Sequence, residues 1–447
     1  MTDRREFELT KPLYGGEVLT DYGTWRIPFG IPGERIAIEG DNLTLLKQSP
    51  ERVLAPCEHF GSCGGCQYQM ASYDEQIRMK HFILRDLLKA AGVDDIPELF
   101  GVLTGEPYGY RNRIRLRIEH LSGAFRLGYN LRATTDFLPI TTCPIAAPIL
   151  WSTAESLLTT AAQNRDAAYW LNATAEVELF TNHDLSRVQL TLFCAPRTKA
   201  PPFSQPGHFA NAFAALQTSA PQLTGAAAVA FDPRTGPTGR TLAEAGAPGL
   251  SYVVPTPDGP AETYWITRGG FFQVNRFLIE TLARLVCFDD NHQPRTGTLA
   301  WDLFAGVGLF SRILARQHPA RHFTRITAVE ANPTAARDLA ISLAKLSPQS
   351  SAIEATTLDF LRRAVLDRDR PDLIVLDPPR AGAGPEACEL LNRIASPTLI
   401  YVSCDPTTLA RDLAILQPHY RITHLHLVDL FPQTFHLETV AILQRTS

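Results

Sequence analysis

The sequence predicts an α/β protein whose C-terminal part is a Rossmann-like, mainly parallel sheet, preceded by an OB-like β-barrel and a β-rich central segment. Three observations support this. Residues 1–52 alternate short β-like runs with glycine turns, as in Gly15-Gly-Glu-Val-Leu-Thr, Thr24-Trp-Arg-Ile-Pro-Phe-Gly and Gly33-Glu-Arg-Ile-Ala-Ile-Glu, which is the spacing of a small antiparallel barrel. From 108 to about 267 strand patterns dominate, with one helix expected near 149–162 and a Pro/Gly-rich stretch near 196–207. After Phe271, apolar strands alternate with amphipathic helices at 299–304, 310–316, 325–330, 335–346, 373–377 and 399–403, the texture of a parallel sheet covered on both faces. Domains at 1–52, 53–267 and 268–447 follow. A helix at 73–92, with apolar Ile77, Phe82, Ile83, Leu84, Leu87 and Leu88 among charges and Gly92 to end it, is free to pack on the C-terminal domain.

The 447 residues are 45% hydrophobic and 20% charged, usage that excludes a wholly disordered chain. Lys plus Arg number 42 against 46 Asp plus Glu, a net charge of -4, so a polyanion site has to be a local patch. Such a patch lies between 107 and 135, where six arginines accompany one acid. Arg111, Arg113, Arg115 and Arg117 alternate with Ile114, Leu116 and Ile118, so the arginines share one strand face. That face suits a phosphate backbone or plain solvation, and spacing leaves both open. The N-terminus has no apolar run behind its arginines, and no stretch is long enough to span a bilayer. A cytoplasmic chain without membrane contact is expected, with its eight cysteines unpaired.

The segment Asp302-Leu-Phe-Ala-Gly306-Val-Gly308 closes an apolar strand and opens a helix, and its glycines let backbone approach a ligand at the helix N-terminus. Ser311 stands where a dinucleotide fingerprint has its third glycine, which points away from NAD and towards S-adenosylmethionine. Glu330, 24 residues beyond Gly306 at the end of the next strand, is placed for ribose hydroxyls. The tetrapeptide Asp377-Pro378-Pro379-Arg380 ends another strand, beside the cofactor or merely as a strand stop. A further strand ends in Ser403-Cys404-Asp405-Pro406, which delivers Cys404 to the same sheet edge.

A thiolate there has a specific use. Uracil C5 is too electron-poor to attack a methyl sulfonium until a nucleophile adds at C6. Arg380 is available to donate to the ring oxygen as charge develops. The tail Phe431-Pro-Gln-Thr-Phe-His436-Leu-Glu438-Thr offers a base for the C5 proton, Glu438 first and His436 second. Cys194, Cys287 and Cys388 read as packing residues, and His292, His318 and His322 as surface residues. The cluster Cys57-x5-Cys63-Gly-Gly-Cys66, with Cys143-Pro144, supplies enough thiolates for zinc or an iron-sulfur cluster. Its single Cys-x2-Cys hairpin favours [4Fe-4S] over zinc.

Taken in order, these motifs resemble the RNA uracil-5 methyltransferases, class I S-adenosylmethionine-dependent enzymes, and within them the iron-sulfur branch acting on ribosomal RNA. Gly16-Glu-Val with Pro32-Gly-Glu is similar to the TRAM domain, an OB-type RNA binder. The cysteine cluster, Phe271-Phe-Gln273-Val-Asn275, Asp302 to Gly308, Asp377 to Arg380, Ser403 to Pro406 and His436-Leu-Glu438-Thr439 resemble the family's motifs. The resemblance implies m5U formation in 23S rRNA through a Cys404 adduct, with Glu438 as base. It also implies an S-adenosylmethionine site lined by Gln273, Phe304, Gly306, Gly308, Glu330 and Asp377, with Asp377 and Arg380 near the target base. A [4Fe-4S] cluster on Cys57, Cys63, Cys66 and Cys143 is implied as well, with RNA held by the central segment, Arg113 and Arg115 included, and a monomeric enzyme. Ala305 and Leu309 depart from the family, which often has cysteine and a polar residue there. Other readings are a tRNA uracil-5 methyltransferase, a base-amine N-methyltransferase and a non-catalytic RNA-binding scaffold.

Overall fold

The computed structural model describes residues 4–23, 25–98, 101–121, 123–195, 206–232, 236–317, 322–346 and 349–446. His318 and all but the last two positions of the Pro/Gly-rich stretch 196–207 lie outside the described residues. The chain divides into two compact units, Met1–Pro107 with Thr357–Ser447, and Tyr108–Thr356.

The first unit opens with a five-stranded antiparallel sheet. Its strands run in the order Arg26–Pro28, Glu17–Thr20, Arg5–Pro12, Arg35–Glu39, Asn42–Lys47. Alternation turns Phe7, Leu9, Val18, Ile27 and Ile36 into a small core. Buried Glu34 fastens this sheet to the following segment by accepting from the backbone of Ile31 and Ser49 and from Arg52. The cysteine loop leads to the helix Tyr73–Ala90, where Ser72 accepts from the Glu75 N–H as N-cap and Gly92 (φ +75°) ends the last turn. Phe82 departs from the expected apolar stripe, being 45% exposed, whereas Lys80 is fully buried on the inner face.

The same unit holds the strands Leu373–Leu376, Thr398–Ser403, Glu438–Arg445, Tyr420–Val428 and Gly101–Leu103, side by side in that order. The first pair is parallel, but Glu438–Arg445 runs antiparallel to both of its neighbours. The expected parallel sheet is therefore mixed at its C-terminal end. This reversal brings the start of the last strand level with the end of Thr398–Ser403, Ser403 opposite Thr439.

The second unit contains a seven-stranded mixed sheet in the order Gly236–Gly246, Leu223–Asp232, Val188–Cys194, Thr174–Thr181, Arg113–Leu121, Ala124–Asn130, Phe137–Pro139. The sequence predicts one helix here, and three are present among the described residues: Pro148–Gln163, Arg165–Asn172 and Pro206–Ser219. Asn164 explains the second, because it ends the first helix and caps the next by accepting from the Ala167 N–H at 2.9 Å. The helices cover the sheet face formed by Ile114, Leu116 and Ile118. The hairpin Gly249–Thr256/Gly259–Thr267 comes next, followed by parallel strands Gly297–Leu303, Phe323–Glu330 and Ser351–Glu354 with helices Ile279–Cys287, Leu309–Leu314 and Pro333–Leu346. No helix among the described residues is long and apolar enough to cross a membrane.

Candidate active site

Within the first unit, strand ends gather the expected reactive residues. Cys404 follows Thr398–Ser403 and is half-buried. Ser403 braces the turn by donating to the Asp405 carbonyl at 3.0 Å. Asp405 then caps the helix Pro406–Leu416, accepting from the N–H groups of Thr407 (2.9 Å) and Thr408 (3.1 Å). That helix also grips the Asp377–Arg380 loop: Thr408 donates to the Arg380 carbonyl at 3.0 Å, Arg411 to that of Ala381 at 2.9 Å, and buried Asp412 accepts from Tyr401 at 2.7 Å and the Ala383 N–H at 2.8 Å. Arg380 is exposed, and its guanidinium donates to Nε2 of His436 at 3.1 Å. That contact engages Nε2 of the imidazole. Glu438 remains the first candidate for the base.

Burial dominates the proton affinities here. It pushes the Cys404 thiol up to about 12, helped by the charges of Glu438, Asp377 and Asp405 and opposed by Arg380. Burial, then the charge of Asp377, holds the Glu438 carboxyl well above the ordinary carboxylate range. A neutral Glu438 no longer opposes the thiolate, so its share of the push on Cys404 vanishes while it is protonated.

In the second unit, Asp302 ends its strand fully buried and accepts from both the N–H and the hydroxyl of Ser311. Burial, with the Glu330 charge adding to it, raises the Asp302 carboxyl to about 7, against the lowering effect of Ser311. Phe304 (φ +63°) and Gly306 (φ +56°) turn the loop, and Glu330 accepts from the Gly306 N–H at 2.8 Å and the Asn332 N–H at 2.6 Å. Gly308 (φ +88°) starts the helix Leu309–Leu314, and a Cβ there would lie 2.5 Å from the Leu339 side chain, so the turn requires glycine. Gln273 is buried, and its backbone carbonyl accepts from the Asn112 side chain at 2.9 Å.

Cys57, Cys63, Cys66 and Cys143 are half-buried cysteines outside any disulfide, with the Gly65 N–H donating to Cys63 at 3.4 Å and the Tyr129 hydroxyl to Cys143 at 3.8 Å. Among the described residues, no three His, Cys, Asp or Glu side chains are grouped so as to hold a metal ion.

The arginine face is less open than its sequence suggests. Arg113 pairs with Glu178 at 3.1 Å, donates to the Gly270 carbonyl and lies over Phe180. Arg115 pairs with Glu176 at 2.5 Å over Phe193. Both acids come from the neighbouring strand Thr174–Thr181, which offsets the local positive count. His322, expected at the surface, is 1% exposed and sits 3.1 Å from Asp258, a partner supplied by the hairpin. Cys194, Cys287 and Cys388 are fully buried packing residues.

A family model described as tRNA (Uracil-5-)-methyltransferase matches residues 261–446. The 23S rRNA (uracil(1939)-C(5))-methyltransferase RlmD of Chromohalobacter salexigens is 31% identical over 439 residues, spanning 93% of this chain and 83% of that protein. The chain belongs to the RNA uracil-5-methyltransferase family. An uncharacterized RNA methyltransferase of Rhizobium meliloti is 30% identical over 448 residues, 96% of each chain. The fold is shared with the crystal structure of the Pyrococcus abyssi tRNA (uracil-54, C5)-methyltransferase in complex with S-adenosyl-L-homocysteine, at TM-score 0.71 and 21% identity over 98% of this chain and 100% of that one.

In this uracil-5-methyltransferase several residues escaped the sequence reading. Ser311 stands out in the sequence only as a missing glycine, whereas in the fold it holds Asp302. Asp405 was legible as a cap, an acid before a proline at the first helical turn. Tyr14, which donates to Asp405 from 391 positions away, left no signal in the sequence.

Proposed function

We propose that this enzyme methylates C5 of a uridine in 23S ribosomal RNA, with S-adenosylmethionine as donor, in the cytoplasm and as a monomer. The observation that carries the reading is the half-buried Cys404 thiol with Asp377, Arg380, Asp405 and Glu438 all acting electrostatically on it. Ribosomal RNA is favoured over tRNA because RlmD of Chromohalobacter salexigens aligns over nearly the whole chain. We assign residues 1–52 to a TRAM-type RNA-binding barrel, 53–267 to RNA binding and 268–447 to methyl transfer.

In this reading Cys404, having released its proton to solvent, forms a bond from its thiolate sulfur to C6. The C5–C6 π pair moves towards the ring oxygen, where Arg380 donates. C5 takes the methyl group, whose bond to the donor sulfur breaks. Glu438 removes the C5 proton, the C5–C6 double bond re-forms and Cys404 leaves as thiolate. Gln273, Phe304, Gly306, Gly308 and Glu330 are assigned to the donor, Glu330 through lone pairs not used by the Gly306 and Asn332 N–H groups. Asp377 is assigned to donor and target base on the sequence resemblance alone. The target base has to leave its stack, at a cost of a few kcal/mol that an unpaired loop uridine avoids.

A [4Fe-4S] cluster on Cys57, Cys63, Cys66 and Cys143 rests on the sequence motif, and no step runs through it. Iron and acid-labile sulfide in anaerobically purified protein, lost in a Cys63→Ser variant, test it. Of the two candidate RNA arginines, Arg115 is the more available, with 38% of its side chain exposed against 15% for Arg113.

RNA carrying 5-fluorouridine tests the chemistry, because fluorine cannot leave as a proton does. The wild type becomes covalently trapped, and Cys404→Ala forms no adduct and loses about 10^4-fold or more in turnover. A trapped Cys404→Ala variant, or an untrapped active wild type, rejects the mechanism. Mapping methylated uridines in total RNA with and without the protein separates the ribosomal from the transfer RNA substrate.

A further inference from the structure

Tyr14 lies in the turn between the strands Arg5–Pro12 and Glu17–Thr20 of the N-terminal sheet, yet its hydroxyl donates to Oδ2 of Asp405 at 3.1 Å. Its ring meets Phe435 edge-on, with centroids 5.1 Å apart. The turn is held against the catalytic tail. Gly16 has φ +90°, and a Cβ there would fall 2.7 Å from Gln67 Cβ and 3.7 Å from Phe435 Cβ, so only glycine lets the backbone come this close. Gln67 in turn accepts from the Phe435 N–H at 3.4 Å, and its own N–H donates to the Gln433 carbonyl at 3.0 Å.

Asp405 divides its carboxylate between two tasks. Oδ1 caps the helix Pro406–Leu416, and Oδ2 faces Tyr14. The charged groups facing the adjacent sulfur are Glu438, Asp377, Arg380 and Asp405, and all but Arg380 oppose a thiolate. Tyr14 itself feels the charges of Asp405, Arg380 and Cys404, which places it within their common field. The mechanism above leaves this hydroxyl unused.

We propose that Tyr14 is a positioning residue for the nucleophile: by donating to Asp405 it offsets part of that carboxylate's charge and favours the thiolate that adds to the pyrimidine. A hydrogen-bond donor to a carboxylate stabilises its charge and weakens its action on a neighbouring group. The N-terminal sheet therefore contributes to the reaction and not only to RNA contact. The consequence for turnover rests on the methyltransferase reading, whereas the effect on the sulfur does not.

The test follows the alkylation of Cys404 by iodoacetamide, read by peptide mass mapping from neutral to alkaline pH. Wild type, Tyr14→Phe, Asp405→Asn and the double variant are compared. Phenylalanine keeps the ring on Phe435, and asparagine keeps an oxygen for the helix cap. Tyr14→Phe should alkylate about threefold to tenfold more slowly at neutral pH, the size of a half to one unit in thiol proton affinity. Its profile should move to higher pH. In the Asp405→Asn background the same change should have no effect. A wild-type rate and profile in Tyr14→Phe overturns the proposal, and so does an equal slowing with and without the Asp405 charge. Failure of the wild type to be trapped by 5-fluorouridine RNA rejects the functional reading while leaving the alkylation result intact.

Discussion

Glu438 is 2% exposed, and burial together with Asp377 keeps its carboxyl protonated far above the usual range. A carboxylate with such a high proton affinity is a strong base once ionised, which suits removal of a carbon-bound proton. Glu438→Gln should leave Cys404 addition and methyl transfer possible but block release. Turnover is expected to fall by about 10^2- to 10^4-fold, and a denaturation-resistant protein–RNA adduct should accumulate with ordinary uridine RNA. Wild-type turnover should rise with pH, because the base is active only when ionised. Asp302 gives a stability test. Its carboxyl ionises near 3.9 in an unfolded chain but near 7 in the folded one, so the folded state holds an extra proton between these values. Stability is full below the lower value and falls as pH rises through the window, by about 4 kcal/mol in all. Asp302→Asn should flatten that slope in denaturant midpoints measured across the same pH range.

The tail leading to Glu438 is held by elements far from it in sequence. Gln433 adopts φ +68°, and its backbone N–H donates to Gln76 at 3.0 Å while its carbonyl accepts from the N–H groups of Gln67 and Tyr68, each at 3.0 Å. One turn further along the helix Tyr73–Ala90, Lys80 donates to Asp429 at 2.6 Å and to the Phe431 carbonyl at 3.0 Å, with both charged side chains 0% exposed. Burial lowers the proton affinity of Lys80 and Asp429 raises it, so the pair survives only as a pair. Lys80→Met should therefore cost about 3–5 kcal/mol by stranding Asp429. Lys80→Met/Asp429→Leu should recover most of that loss in urea unfolding but not the turnover, because the Phe431 carbonyl remains without its donor. The helix itself was readable from its apolar spacing and its terminal glycine. Its inward lysine was not, because a lysine in an amphipathic pattern reads as exposed until its partner is known.

Over the whole molecule, a net charge of -4 is no obstacle to RNA binding, because phosphates respond to local cations. The strand Arg113–Leu121 shows how little a run of charges says without its neighbour, since Glu176 and Glu178 stand directly across it. Arg115→Ala should flatten the dependence of log affinity on log salt by about one unit. Arg113→Ala should leave the slope unchanged and lower stability, because it abandons Glu178 in a half-buried ion pair. Titrations of RNA affinity over a range of salt, with thermal unfolding in parallel, separate the two.

Local chemistry was enough to nominate the candidate reactive groups. Glycine turns, strand-ending Asp302, Asp377 and Cys404, and the His436–Glu438 tail are written in short contiguous segments, where backbone geometry and residue type suffice. The engagement of His436 by Arg380, the engagement of Arg113, the burial of His322 and the contact of Tyr14 with Asp405 were beyond that reach. Each depends on a partner from a distant part of the chain: Arg380 for His436, Glu178 for Arg113, Asp258 for His322. A side chain's charge and proton affinity are set by what packs against it, and only folding brings those groups together.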